Sequence, residues 1–282
     1  MLKRFRKKID IDSLDLERVY SIEEFEYISS LVKNRSLVIE GEPVDHFELS
    51  NTGKLIPIPP TTFKKELTVT KIANLLEDWN ITTRQKGVVT TSQGGFRISR
   101  DKIVAPDVAF TPRKRVKKLS KKQMKTFQGR PWSPIFVVEV DDFDDSSYKN
   151  KNSKFAKIDA KMKDVYFAAD THVQLGWLID PVHENTWVYK RNKNNKPFRR
   201  EKGWHNLSGE RFLPEFTLTI NLITMEEIED APSSDPETSS SSGSSTDSSV
   251  EQSFVQCVYC DAWFVSKYLL VHHLKYGHDN VV

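Results

Sequence analysis

One stretch of this sequence limits everything around it. From residue 231 to 249 nearly every position is Ser, Thr, Gly, Pro or acidic, with ten serines among them. Such a segment has too little apolar surface to offset the entropy of ordering it, so it reads as a solvated linker. A structureless loop of that length inside a compact domain would be unusual. The 282 residues therefore divide into a basic N-terminal extension (1–19), a main domain (20–228), a disordered Ser-rich linker (229–252) and a C-terminal module (253–282). No apolar run approaches the ~18 residues of a transmembrane helix. The basic N-terminus lacks the apolar stretch of a secretory signal. The two cysteines, Cys257 and Cys260, are too few for a disulfide framework and are spaced for a metal. The expectation is an intracellular protein with no membrane association.

The main domain reads as mixed α/β. Ser21 followed by Glu23 and Glu24 marks a helix start, with Ile22, Phe25, Ile28 and Leu31 apolar. Val69, Ile72, Leu76 and Trp79 recur at helical spacing over 65–79. Apolar runs at 88–91, 95–98, 104–110 and 135–140 read as strands, with turns at Gln93-Gly94 and Ser99-Arg100-Asp101 between them. A third helix is predicted over 153–170, its buried stripe being Phe155, Ile158, Met162, Val165 and Ala169. Strands at 175–180 and 186–189 follow.

Two carboxylates interrupt the apolar strands. Asp107 lies within Ala105-Pro106-Asp107-Val108-Ala109-Phe110, and Glu139 lies between Val138 and Val140. A buried ionised acid needs compensation, and a divalent cation provides it. Paired carboxylates holding magnesium beside a lysine are the groups phosphodiester hydrolysis uses. The metal polarises the phosphate and acidifies water, and the lysine orients that water or stabilises developing charge. An acid at a strand end also serves as a cap or surface group, and these two residues do not choose between the roles. The helix after Glu139 carries Lys154, Lys157, Lys161 and Lys163, among which periodicity selects none.

A longer series of residues narrows the choice. Pro106-Asp107-Val108-Ala109-Phe110 is followed by Val137-Val138-Glu139-Val140, then by Asp159, Lys163 and Phe167 at four-residue steps, then by Gly176-Trp177-Leu178-Ile179-Asp180-Pro181. In this order the series resembles the Uma-type restriction endonuclease family of the PD-(D/E)xK nuclease superfamily. Ser21-Ile22-Glu23-Glu24-Phe25 resembles the family's N-terminal helix, and Glu48 with Gly53-Lys54-Leu55 its early glutamate and glycine turn. Leu213-Pro214-Glu215-Phe216-Thr217-Leu218 resembles its closing strand. The resemblance spans about residues 20 to 228. It implies a restriction-endonuclease-like mixed sheet flanked by helices, magnesium at Asp107 and Glu139, and Lys163 as a catalytic lysine moved from the strand onto the helix. Three features depart from the family pattern. Position 141 is Asp141, the stretch from Glu139 to Lys163 is long and carries Asp142, Asp144 and Asp145, and Phe167 with Tyr166 beside it replaces the family's tyrosine. Lys161 lies closer than Lys163 to the buried helical stripe and is a rival for the catalytic role.

The net charge of +3 hides a strongly basic run. Arg113, Lys114, Arg115, Lys117, Lys118, Lys121, Lys122 and Lys125 lie between the two acids with no acid among them. Such a run reads as a solvated loop, a nuclear-import patch or a contact to phosphate backbone, and its sequence position beside the proposed site favours DNA. Phe127 and Trp132 read as core residues, with base stacking as the alternative.

In the C-terminal module, Cys257 and Cys260 are followed after twelve residues by His273 and after four more by His278. This is the spacing of a two-cysteine, two-histidine ββα zinc finger, in which a turn presents two thiolates and a helix two imidazoles to a tetrahedral Zn2+. Phe264 and Leu270 occupy the positions of that finger's small core. A module of this size needs the metal to fold. Its helix would direct Ser266, Leu269 and His272 at bases, but one finger reads only about three base pairs. A protein partner contacting Tyr268, Leu269 and Tyr276 is the alternative.

The leading expectation is thus a magnesium-dependent DNA endonuclease tethered to a zinc finger that raises local substrate concentration. The alternative is a nuclease-fold factor that binds DNA or protein and has lost the reaction. Finger, linker and basic run together point to the nucleus. Enzymes that cut both strands often pair as homodimers, although no motif here marks an interface.

Overall fold

The computed structural model describes residues 9–32, 37–143, 148, 150–224, 255–256 and 263–264. The chain divides into two units, residues 1–231 and 232–282. In the second, strands Val255–Gln256 and Trp263–Phe264 pair antiparallel. The four expected zinc ligands, the linker and most of the finger lie outside the described residues.

Among the described residues, the first unit is built on two larger sheets and three principal helices, with two further two-stranded ribbons (Leu37–Ile39 with Glu42–Val44, and Leu207–Ser208 with Thr217–Leu218). Helix α1 (Ile22–Val32) starts at a capping box, in which Glu24 N–H donates to Ser21 Oγ at 3.2 Å and Ser21 N–H donates to Glu24 Oε2 at 2.9 Å. Strands β1 (His46–Leu49) and β2 (Leu55–Ile58) form a hairpin, and helix α2 (Phe63–Thr82) follows with Thr62 as its N-cap. Strands β3 (Val88–Thr91), β4 (Phe96–Arg97), β5 (Ile103–Val104), β6 (Val108–Thr111) and β7 (Phe136–Val140) come next. Helix α3 (Lys154–Ala160) continues into a π-helical turn (Lys161–Tyr166). Strands β8 (Leu175–Asp180), β9 (Asn185–Arg191) and β10 (Pro197–Glu201) complete the frame.

Six strands make the main sheet in the order β10-β9-β8-β7-β6-β3. The β7–β8 pair is parallel and the other pairs antiparallel, so α3 lies within a strand–helix–strand crossover. Alternation along the strands divides the core in two. Val108, Phe136, Val138, Trp177 and Ile179 pack with Val69, Ile72, Leu76 and Trp79 of α2. Ala109, Val137, Leu178, Trp187 and Tyr189 pack with Phe155, Met162, Tyr166 and Phe167. The sheet is therefore covered on both faces, which explains why its central strands read as continuous apolar runs. The second sheet, in the order β2-β1-β5-β4, packs on α1 through Phe25, Ile28, Phe47, Leu49 and Ile103. Ile9 and Ile11, in the stretch read as an extension, are buried in the same cluster.

Two sequence expectations change here. The single strand expected at 104–110 is two strands in different sheets, β5 and β6, separated by Ala105, Pro106 and Asp107. Proline has no N–H for a ladder, and the break lets the chain pass from one sheet to the other. The helix expected to reach residue 170 ends at Tyr166, and Ala169 is exposed. The π turn, in which Phe167 N–H reaches Met162 O at 3.1 Å, shifts the helical phase and buries Tyr166 and Phe167 instead.

Candidate active site

Asp107 immediately precedes β6, and Glu139 is the penultimate residue of β7. Continuing the Val108–Val138 pairing by one residue brings the two acids side by side, on the α3 face shared by Ala109 and Val137. They are 7% and 6% exposed, so each depends on close partners. Asp107 Oδ2 accepts the Val140 N–H at 2.7 Å and lies 3.3 Å from Lys65 Nζ, in the first turn of α2. Glu139 Oε1 accepts the Tyr166 hydroxyl proton and lies 3.2 Å from Lys161 Nζ. Lys161 also donates to Glu48 Oε1 at 3.0 Å, and that oxygen takes the Ala105 N–H at 2.8 Å. Glu48, on β1, thereby ties the second sheet to the acids of the first.

A cleft of about 870 Å3 opens on this cluster, lined among others by Glu48, Lys65, Lys102, Asp107, Glu139 and Lys161. Burial and the neighbouring Glu139 charge push the Asp107 carboxyl up to about 7, against the opposing pull of Lys65 and the Val140 N–H. Burial lowers the pKa of Lys161, but Glu139 and Glu48 outweigh it and leave the ammonium above the usual lysine range. Lys161 therefore remains a cation through neutral pH, a state suited to stabilising charge rather than to abstracting a proton. Burial and Glu139 hold the Tyr166 phenol well above its ordinary value, so it acts as a neutral donor.

The sequence-derived residues separate in space. Asp107, Glu139 and Lys161 converge, whereas Lys163 does not line the cleft. It donates to Asp159 Oδ2 at 2.6 Å, in a cluster where Asp159 also accepts from Tyr189 at 2.8 Å and pairs with Arg199 at 2.9 Å. Residues two apart in a helical segment do not face the same way, so one geometry cannot serve both lysines. Arg113, Lys114, Arg115, Lys117 and Lys118 lie at the other end of β6 from Asp107, in and after a short helix (Arg113–Val116), and none lines the cleft. Adjacency in sequence was misleading here, because a strand carries the chain about 3.3 Å further from the site with each residue. Phe127 and Trp132 are packed edge-on against Phe25 and Phe96.

Sequence reasoning assigned no chemical role to Glu48, Lys65, Lys102 or Tyr166. Two signals were present. Glu48 sits between apolar Phe47 and Leu49, and Lys65 is a cation in the first turn of a helix, where the dipole disfavours it.

Among the described residues, no group of three or more His, Cys, Asp or Glu side chains is arranged to hold a metal. Magnesium needs less, since it binds through one or two carboxylates and keeps several waters. The contacts above fall on Oδ2 of Asp107 and Oε1 of Glu139. They leave Oδ1 and Oε2 as hard oxygen donors of adjacent residues, so the pair fits such an ion.

A mixed sheet covered by helices on both faces, with two acids and a lysine at one cleft, defines a restriction-endonuclease-like α/β domain. Residues 36–221 match the Uma2 family, described as "Putative restriction endonuclease", and the chain belongs to that family. Among solved structures it is similar to a "putative nuclease belonging to DUF820" from Anabaena variabilis ATCC 29413. That similarity has 15% identity and a TM-score of 0.46, covering 63% of this chain and 89% of the other. No curated protein matches the sequence. Among the described residues, no helix is long and apolar enough to cross a membrane.

Proposed function

We propose that the main domain is a metal-dependent endonuclease that hydrolyses phosphodiester bonds of DNA. The observation that carries this reading is the meeting of Asp107, Glu139 and Lys161 at one cleft, contributed by the residue just before β6, by β7 and by the π turn after α3. Asp107 and Glu139 would hold Mg2+, which supplies Lewis acidity toward the phosphate and an acidified water. Lys161 stabilises negative charge as it builds on the phosphate oxygens, and its pairing with Glu48 and Glu139 holds it in place beforehand. Tyr166 orients Glu139 through its hydroxyl. Water adds across the P–O bond, leaving a phosphate monoester and a hydroxyl.

The same proposal includes Zn2+ at Cys257, Cys260, His273 and His278, with the finger aiding DNA or protein binding in a nuclear protein. Its support is the ligand spacing and core residues of the sequence. The exposed Arg113, Lys114, Lys117 and Lys118, with half-buried Arg115, remain proposed contacts to DNA backbone outside the cleft.

The test is nicking of supercoiled plasmid by the full chain with magnesium and with a chelator. Magnesium-dependent nicking is the expected result. A folded protein that binds plasmid but leaves it intact in magnesium and manganese would instead be a non-catalytic binding factor. The lysines give a sharper expectation. Lys161→Ala lowers the single-turnover rate by about 10²–10³-fold, the usual cost of losing a preorganised charge contact, whereas Lys163→Ala stays within a few-fold of wild type. The reverse ranking would transfer the catalytic role to Lys163.

A further inference from the structure

The cleft contains a cation, held between two strands of the second sheet, whose role nothing above explains. Lys102 lies between β4 and β5, its carbonyl accepting the Ile98 N–H at 3.1 Å, and its side chain lines the same cleft as Asp107 and Glu139. Three other lysines of that cleft are engaged, Lys65 with Asp107, Lys154 with Asp141, and Lys161 with Glu48 and Glu139, whereas Lys64 on α2 and Lys157 on α3 also line it without an ion pair among the described residues. Among the described residues, Lys102 has no ion pair and no side-chain hydrogen bond. Burial holds its pKa below the usual lysine value; Glu48 opposes that shift and the Lys161 charge adds to it. A half-buried ammonium with no ion pair carries a desolvation cost that an incoming anion would repay.

We propose that Lys102 is a phosphate-contacting residue, holding a backbone phosphate of duplex DNA beside the one hydrolysed at Asp107 and Glu139. The proposal rests on the nuclease reading and adds a binding position to it. A backbone phosphate is the anion that fits, because it presents one negative charge to a point cation and requires no bidentate geometry. The contact positions the duplex and carries no base specificity.

The experiment measures binding of a short labelled duplex to the full chain by fluorescence anisotropy, with calcium in place of magnesium, over a range of salt. Lys102→Met is expected to raise Kd about fivefold near 0.1 M salt and to reduce the slope of log Kd against log salt by about one. Lys102→Arg restores most of both. Thermal stability does not change, because the side chain has no intramolecular partner to lose. Lys193→Ala, on the exposed turn after β9, removes the same charge away from the cleft and leaves the slope as in wild type. An unchanged slope for Lys102→Met, or an equal drop for Lys193→Ala, overturns the assignment. Wild type that binds duplex without nicking it in magnesium removes the hydrolytic reading, while the slope still decides Lys102. Wild type that binds no duplex DNA overturns both.

Discussion

Glu139→Gln is expected to reduce magnesium-dependent plasmid nicking by at least about 10³-fold while the protein stays folded. The substitution keeps the size of the side chain and an oxygen able to accept the Tyr166 hydroxyl, and Lys161 retains Glu48 as a partner. What it removes is one of the two adjacent negative charges that would bind the metal. A loss of about 4 kcal/mol in transition-state stabilisation corresponds to that factor, and is of the size expected when the Lewis acid is displaced. Raising magnesium should recover part of the rate if the defect is metal affinity. The result is read against a thermal melt of the same preparation. Nicking that survives the change in a purified variant would move the site away from Glu139 altogether.

Asp180→Ala is the substitution expected to cost most in stability. Asp180 ends β8 with its side chain fully buried. Oδ1 accepts the N–H groups of Val182 and His183 at 3.0 Å each, and Oδ2 accepts the Tyr148 hydroxyl at 2.8 Å and the Phe143 N–H at 3.2 Å. The His183 ring nitrogen Nδ1 lies 3.0 Å from the same Oδ2. Alanine would leave several buried donors without acceptors where water cannot easily replace them. Losing one member of such a buried polar network costs roughly 3–5 kcal/mol. For a domain of this size that is a fall in Tm on the order of 10 °C. Asp180→Asn should lose less, because its Oδ1 still caps the turn while its amide opposes the Phe143 N–H. Calorimetry or denaturant unfolding of the three proteins checks the order, and a wild-type Tm for Asp180→Ala would mean that other contacts hold this corner. The aspartate of the sequence segment Ile179-Asp180-Pro181 therefore has a structural role, distinct from that of Asp107 and Glu139.

Much of the frame was legible because local rules and tertiary packing agreed. The Ser21–Glu24 capping box, the α2 stripe of Val69, Ile72, Leu76 and Trp79, and the apolar runs of β3, β7 and β8 occur where pattern placed them. The two disagreements have local causes, namely Pro106 between two sheets and the π turn at the end of α3. Both act on the site. The first lets Asp107 leave the second sheet beside Glu139, and the second determines which lysine accompanies them.

Order and spacing along the chain pointed to the family, to two acids that meet at the cleft and to the helix whose end carries the adjacent lysine, because these depend on side-chain periodicity and on residues close in sequence. They also give the expectation of a division at the Ser-rich stretch, which lies outside the described residues, since a segment with almost no apolar residues has little to bury wherever it is placed. Only the tertiary structure decided that Lys161 faces the acids and Lys163 faces Asp159, that Glu48 and Lys65 join the cluster from another sheet and another helix, and that the basic run lies away from the cleft. Those contacts join residues up to 113 positions apart. Their energy comes from compensating charge in a buried place, and no local pattern records which distant partner provides it.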